Sequence, residues 1–141
     1  MTIAPKFTAA AAVLAIAGSG AAVTQAATTV DRVDVKGAYA FMTADGLRVE
    51  FKTAQALPRK ASGSIRAGAA LDGQLPSSIG SSRRTTANCY GFIATAKNTK
   101  IGSRHKLKVT ARSTDGDVSD VATVKVIGKR AVGAARNRLG C

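Results

Sequence analysis

The sequence predicts an all-β domain: a single antiparallel sandwich of about seven short strands, stapled by one disulfide. Three observations carry that prediction. Short runs of Val, Ile, Thr and aromatic residues alternate with polar ones at a period of two, as half-buried strands require. Clusters of Gly, Asp, Asn and Ser separate the runs, among them Asp45-Gly46 and Asp115-Gly116, a dipeptide that suits tight hairpins. No long amphipathic helix and no internal repeat is visible after residue 26.

Residues 1–26 stand apart from this pattern. Lys6 gives a short positive start, residues 7–23 are a run of small and apolar side chains, and Thr24-Gln25-Ala26 has small residues where a signal peptidase reads. A signal peptide cleaved after Ala26 is expected, with residues 27–141 as one exported domain. The apolar run is too short and too rich in Ala and Gly for a membrane span. No apolar segment in 27–141 has the length of a transmembrane helix, so a secreted, extracellular protein is expected.

The strands follow in order. Residues 30–36 alternate Val33 and Val35 against Asp34 and Lys36. Residues 38–43 and 47–53 flank the Ala44-Asp45-Gly46 turn; in the second, Leu47, Val49 and Phe51 face one way and Arg48, Glu50 and Lys52 the other. That alternation predicts a sheet with one wet face. Residues 65–71 form a weaker strand, and 75–86, rich in Ser, Gly, Pro and Arg, read as a long loop. Residues 89–96 resume the strand pattern, and 98–103 turn. In 104–112, His105, Leu107, Val109 and Ala111 alternate with Arg104, Lys106, Lys108 and Arg112. After the turn in 113–119, residues 121–127 close the series with Ala122, Val124 and Val126 inward. The tail from Gly128 is basic and small, enough for a short helical turn.

Aromatic residues are few: Tyr39, Phe41, Phe51, Tyr90 and Phe92 are all that follow residue 26. A small domain with so light a core benefits from a covalent staple. Cys89 and Cys141 are the only cysteines, so an oxidising compartment allows one intrachain pairing, which ties the tail back to the body. The alternatives are a free thiol or an intermolecular pair. Two cysteines and one distant histidine share no zinc-ligand spacing.

The segment from Gly102 to Gly116, with its His105-X-Leu107-X-Val109-X-Ala111 strand running into an Asp-Gly turn and a last strand at 118–126, resembles the penultimate hairpin of bacterial immunoglobulin-like domains. The resemblance covers about 25 residues. It implies an immunoglobulin-like sandwich serving as a binding or spacing module. The chain departs from antibody-type domains in having no Trp, and its Cys89 would pair with the C-terminus rather than across the sheets.

Charge is unevenly placed. The chain carries 21 basic and 8 acidic residues, net +13. Residues 27–82 hold 7 basic and 5 acidic residues, net +2, whereas 83–141 hold 13 and 3, net +10. Arg104, Lys106, Lys108 and Arg112 share one face of one strand, where alternate residues repeat at about 6.6–6.8 Å, close to the phosphate spacing of an extended polyanion. With Lys129 and Arg130, and with Lys97, Lys100, Arg136 and Arg138 widening the patch, they form a candidate polyanion site. Its binding would depend strongly on salt. A solvated basic face that merely resists aggregation is the alternative.

Catalytic chemistry finds little support. His105 is the only histidine and shares the inward face of Leu107 and Val109; no Gly-X-Ser-X-Gly element accompanies it. No P-loop or dinucleotide fingerprint appears, so no cofactor is expected. Asp115, Asp117 and Asp120 cluster in one turn as a weak calcium candidate, without the loop length or closing glutamate of an EF-hand. The leading expectation is therefore a secreted, non-catalytic binding or structural module of the bacterial cell exterior, whose partner is an anionic polymer or a cell-surface protein. The second is a cationic effector binding nucleic acid, teichoic acid or acidic glycan through the basic strand face. The third is a protease inhibitor presenting the 75–87 loop, with Arg83 or Arg84 as the specificity residue.

Overall fold

The computed structural model describes residues 29–81 and 88–141. The signal-peptide reading of 1–26 lies outside the described residues, as do Arg83 and Arg84 of the inhibitor reading.

Among the described residues the chain forms β1 (Val35–Thr43), β2 (Gly46–Thr53), β3 (Ala67–Leu71), β4 (Ser77–Ser78), β5 (Gly80–Ser81), β6 (Cys89–Ala94), β7 (Arg104–Ser113) and β8 (Gly116–Lys125). A 3₁₀ turn (Lys129–Ala131) and one helix, α1 (Val132–Leu139), follow. The strands make two antiparallel sheets, ordered β1-β2-β6-β5 and β4-β3-β7-β8. The all-β class and the Cys89–Cys141 disulfide are as expected.

Both tight hairpins use the same chemistry. Thr43 pairs with Gly46 across β1–β2, and Ser113 with Gly116 across β7–β8. In each, the hydroxyl of the first residue accepts the backbone N–H of the Asp two positions on, at 3.2 Å. Gly46 and Gly116 sit at φ +131° and +129°, where a side chain would be strained.

The inward residues of both sheets build one core. Phe51, Tyr90 and Phe92 meet at its centre, with Phe51 5.7 Å from Tyr90 and 6.4 Å from Phe92 between ring centroids. Leu47, Val49, Leu107, Val109 and Val124 surround them. Burying one such side chain fully stabilises the fold by about 1.5–3 kcal/mol. The Tyr90 hydroxyl is not left unpaired; it accepts the Leu57 N–H at 2.8 Å.

The sheets join at both edges. On one side, β4 pairs with β3 and β5 with β6, so residues 77–81 pass from one sheet to the other with buried Ile79 at the crossing. Taken as one strand, they make the count seven. On the other side, Ala40 and Val126 form a parallel bridge, and the Ile127 N–H donates to the Ala40 carbonyl at 2.8 Å. Asp120 adds to this seam by accepting the Val35 N–H at 2.8 Å.

Four expectations need correcting. The turn expected over 113–119 is a tight hairpin confined to Ser113–Gly116, and residues 116–119 are already β8. Residues 30–34 are not strand: Val30 and Val33 are buried, and single backbone hydrogen bonds tie the ends of the segment (Val30 N–H to the Arg112 carbonyl at 3.0 Å, Ala54 N–H to the Asp34 carbonyl at 2.9 Å) without a continuous ladder, and a bulge between Val35 and Gly37 starts β1. Part of the long loop is the sheet-switching segment. The face of Arg48, Glu50 and Lys52 is not wet, because α1 covers it and Glu50 is only 2% exposed.

Candidate polyanion-binding face

The two outer faces of the sandwich differ in kind. On the first sheet, Tyr39 and Phe41 pack against Val132 and Ala135 of α1, with Leu139 alongside. Gly37 lets the helix approach, since a Cβ there would lie 2.4 Å from Leu139 Cδ1. Cys89 points outward on this face and bonds Cys141, and Gly140 ends the helix in the left-handed conformation at φ +78°.

Beneath α1 the Glu50 carboxylate is fully engaged. Arg136 donates to it through Nε at 2.9 Å and Nη2 at 3.0 Å, Arg48 through Nε at 3.1 Å, and the Tyr39 hydroxyl also donates. Burial alone would raise its pKa. The hydrogen bonds from Arg136, Tyr39 and Arg48, with the charge of Arg136, outweigh burial and bring it down to about 2. The same burial and carboxylate push the Tyr39 phenol far above its ordinary value. Arg48 lies across Gly91, where a Cβ would come within 2.6 Å of its guanidinium. With every acceptor position occupied by a fixed donor, this cluster is a clamp for α1.

Among the described residues no helix lies over the outer face of the second sheet. Down its centre run the outward side chains of β7: Arg104, Lys106, Lys108, Thr110 and Arg112, all exposed except the half-buried Thr110. On β8, Lys125 lies opposite Arg104, Thr123 opposite Lys106, and Val121 opposite Lys108. Asp117 lies opposite Arg112 and approaches it at 3.8 Å, both well exposed, a pair worth little in water. On the other flank, β3 turns only Gly68 and Ala70 outward, opposite Thr110 and Lys108. The result is a cationic row, interrupted only by Thr110, beside a low floor.

The predicted polyanion set therefore divides. Arg104, Lys106, Lys108 and Arg112 share this face. Lys129 instead borders a depression with Phe41, Met42 and Arg136 on the first sheet's side, and Arg130 is in the same 3₁₀ turn. The six do not form one patch, because the chain crosses to the first sheet after Val126. Arg136, proposed to widen the patch, is held by Glu50.

The calcium candidate does not assemble. Alternation along β8 sends Asp117 outward to Arg112 and Asp120 to the seam with β1, while Asp115 sits in the hairpin turn. Among the described residues no three His, Cys, Asp or Glu side chains group as a metal site.

His105 is buried, as its place in the alternation requires. Its Nδ1 is 2.6 Å from Asp72 Oδ2, its Nε2 2.6 Å from the Asn98 carbonyl, and Ser103 Oγ is 3.4 Å from Nε2. A Ser, a His and an Asp thus stand in series. A carbonyl has no proton to give, however, so Nε2 is the donor to Asn98 and keeps no lone pair to accept the Ser103 proton. The Ser103 hydroxyl itself is 2.7 Å from the Lys100 carbonyl. This set pins the 98–103 turn to β7. Sequence reasoning missed Asp72, whose left-handed backbone (φ +51°) places it just past β3.

Asp72→Asn tests the pinning, since Asn tolerates the left-handed conformation. The His105 hydrogen bond and the Lys106 N–H hold the Asp72 carboxyl below its ordinary range. Its contribution is therefore present above that range and lost as pH falls. We expect a loss of about 1 kcal/mol in a urea melt at neutral pH, modest because Asp72 is 44% exposed, with the gap to wild type closing in acid.

No helix among the described residues is long and apolar enough to cross a membrane. No family model, curated protein or solved structure matches the chain.

Proposed function

We propose that this chain is an exported, non-catalytic binding module whose ligand is an anionic polymer, held on the outer face of the second sheet. One observation carries the reading: of two sheet faces, the one left uncovered by the described residues is the one bearing Arg104, Lys106, Lys108, Arg112 and Lys125. The opposite face commits Arg48 and Arg136 to an internal carboxylate. An immunoglobulin-like kinship belongs to the same proposal, supported by the two antiparallel layers and the β7–β8 hairpin. The disulfide suits an oxidising exterior.

Retention of the oxidised protein on immobilised heparin and on duplex DNA across a salt series tests the reading. Retention should fall steeply with salt. Arg104→Ser/Lys106→Ser/Lys108→Ser should weaken it on both supports and flatten the DNA salt slope by roughly three, about one for each phosphate that is no longer neutralised. Exposed positions of this kind change stability by about 0.5 kcal/mol or less each, so the variant stays folded. Absence of retention at low salt would sink the proposal.

A further inference from the structure

Beside the cationic row lies a trough, and its shape narrows the ligand. Two depressions, of about 450 and 240 Å³, meet on the outer face of the second sheet; both are bordered by Gly68, Pro76 and Thr110. The smaller continues to Lys106 and Lys108, the larger to Arg112, Lys60 and Arg66. Together they follow β7 from residue 106 to residue 112, about 20 Å at the usual strand rise. The floor is low because β3 offers only Gly68 and Ala70 outward. Pro76 forms the wall at the waist, so close that a Cβ on Gly68 would lie 2.9 Å from its Cβ.

Five cations line this trough against one carboxylate, Asp117 at its edge. Lysine ammonium groups act as point charges that any phosphate satisfies, without demanding planar recognition. No aromatic side chain lines either depression, so there is no platform on which bases stack. Charge and the lack of stacking surface favour a ligand that is all backbone.

We propose that the trough is a track for one slender phosphate-bearing chain, a polyphosphate or polyol-phosphate strand, laid along β7 beside Pro76. This rests on the polyanion reading above and deepens it. Phosphates follow Lys106 and Lys108 along one half, pass the Thr110 hydroxyl at the waist, and meet Lys60, Arg66 and Arg112 along the other. Because Lys60 and Arg66 lie outside the β7 row, the track engages cations that a flat basic face would not.

Calorimetric titration of the oxidised protein with inorganic polyphosphate at 0.1 M salt tests this, with orthophosphate and single-stranded DNA as comparisons. Polyphosphate should bind and orthophosphate should not. Thr110→Phe fills the waist without changing charge and should weaken polyphosphate about five- to tenfold for each phosphate that can no longer reach its cation. Duplex DNA retention should stay at the wild-type level, because a duplex is too wide to enter. Lys60→Ser/Arg66→Ser, a surface pair, should weaken polyphosphate likewise, and it carries the test if Thr110→Phe fails to fold. Wild-type polyphosphate binding in folded Thr110→Phe, or in the Lys60/Arg66 pair, would overturn the track while leaving the basic face intact. Tighter binding of single-stranded DNA, sensitive to Thr110→Phe, would overturn the phosphate-chain assignment. Loss of all polyanion retention at low salt would instead fail the reading beneath it.

Discussion

Cys89→Ser/Cys141→Ser lowers the unfolding free energy by about 4 kcal/mol, the chain-entropy value for a closed loop of about 53 residues. The local consequence falls on α1. It has eight residues, Ala131 at its N-cap makes no side-chain hydrogen bond, and no acidic residue stands in its first turn. A helix so short and uncapped does not persist alone in water. Without the disulfide it is held by the Arg136–Glu50 contact and by Val132, Ala135 and Leu139 on Tyr39 and Phe41. We therefore expect the variant's tail to open ahead of the sandwich, and trypsin to cut after Arg136 or Arg138 while the β-sheet signal in circular dichroism is retained. An unchanged urea midpoint together with an unchanged tail would mean that the side-chain contacts suffice.

Arg136→Ala is the second large effect. It withdraws two of the four hydrogen bonds to a carboxylate that is 2% exposed, leaving Arg48 and Tyr39 to hold the charge. Breaking a buried pair from one side costs about 3 kcal/mol, while replacing both members with apolar residues costs much less. Glu50→Leu/Arg136→Leu should accordingly recover part of the loss, with the remainder set by the Tyr39 hydroxyl and Arg48, which lose their acceptor, and a urea melt of the three proteins decides it. Acid reads the same cluster. Glu50 titrates near 2 when folded and near 4.5 when unfolded, so its contribution is complete above about pH 4.5 and is lost as pH falls toward 2. That difference corresponds to about 3 kcal/mol, and the acid limb should flatten in Glu50→Leu/Arg136→Leu. In alkali the raised Tyr39 pKa has the opposite sign, with stability falling as pH rises past the ordinary phenol value. Since Arg136 and Cys141 secure one helix, removing both should cost less than the sum.

What the sequence made legible was whatever repeats locally. The β7 alternation placed His105, Leu107, Val109 and Ala111 inside and the four cations outside, because a period of two is a property of the strand itself. Both Asp-Gly hairpins were legible because the turn chemistry lies within four residues. Glu50 was misread for the converse reason. Alternation says that it faces away from the core, not what lies over it, and its cover, Arg136, is 86 positions away. The same limit separated Lys129 and Arg130 from the β7 row, and it hid the trough, whose floor of Gly68 and Ala70 belongs to the weakest expected strand and bears no side chain that marks a site. Asp72 and His105, 33 residues apart, meet only once β3 and β7 are paired.

Joining the sheets at both edges also governs the order in which this protein can form. The seam of Ala40 with Val126 links positions 86 apart, and residues 77–81 bind into both layers at once. Neither joint is local, so loop-closure entropy is lost before the new pairings offset it, and such all-β topologies fold in milliseconds to seconds rather than microseconds. The chain stays open until β8 is available, and α1 has no complete surface to dock on before β1, β2 and β6 have paired. Formation of the Cys89–Cys141 bond in its native setting is thus a late event, recording that the sandwich has already closed.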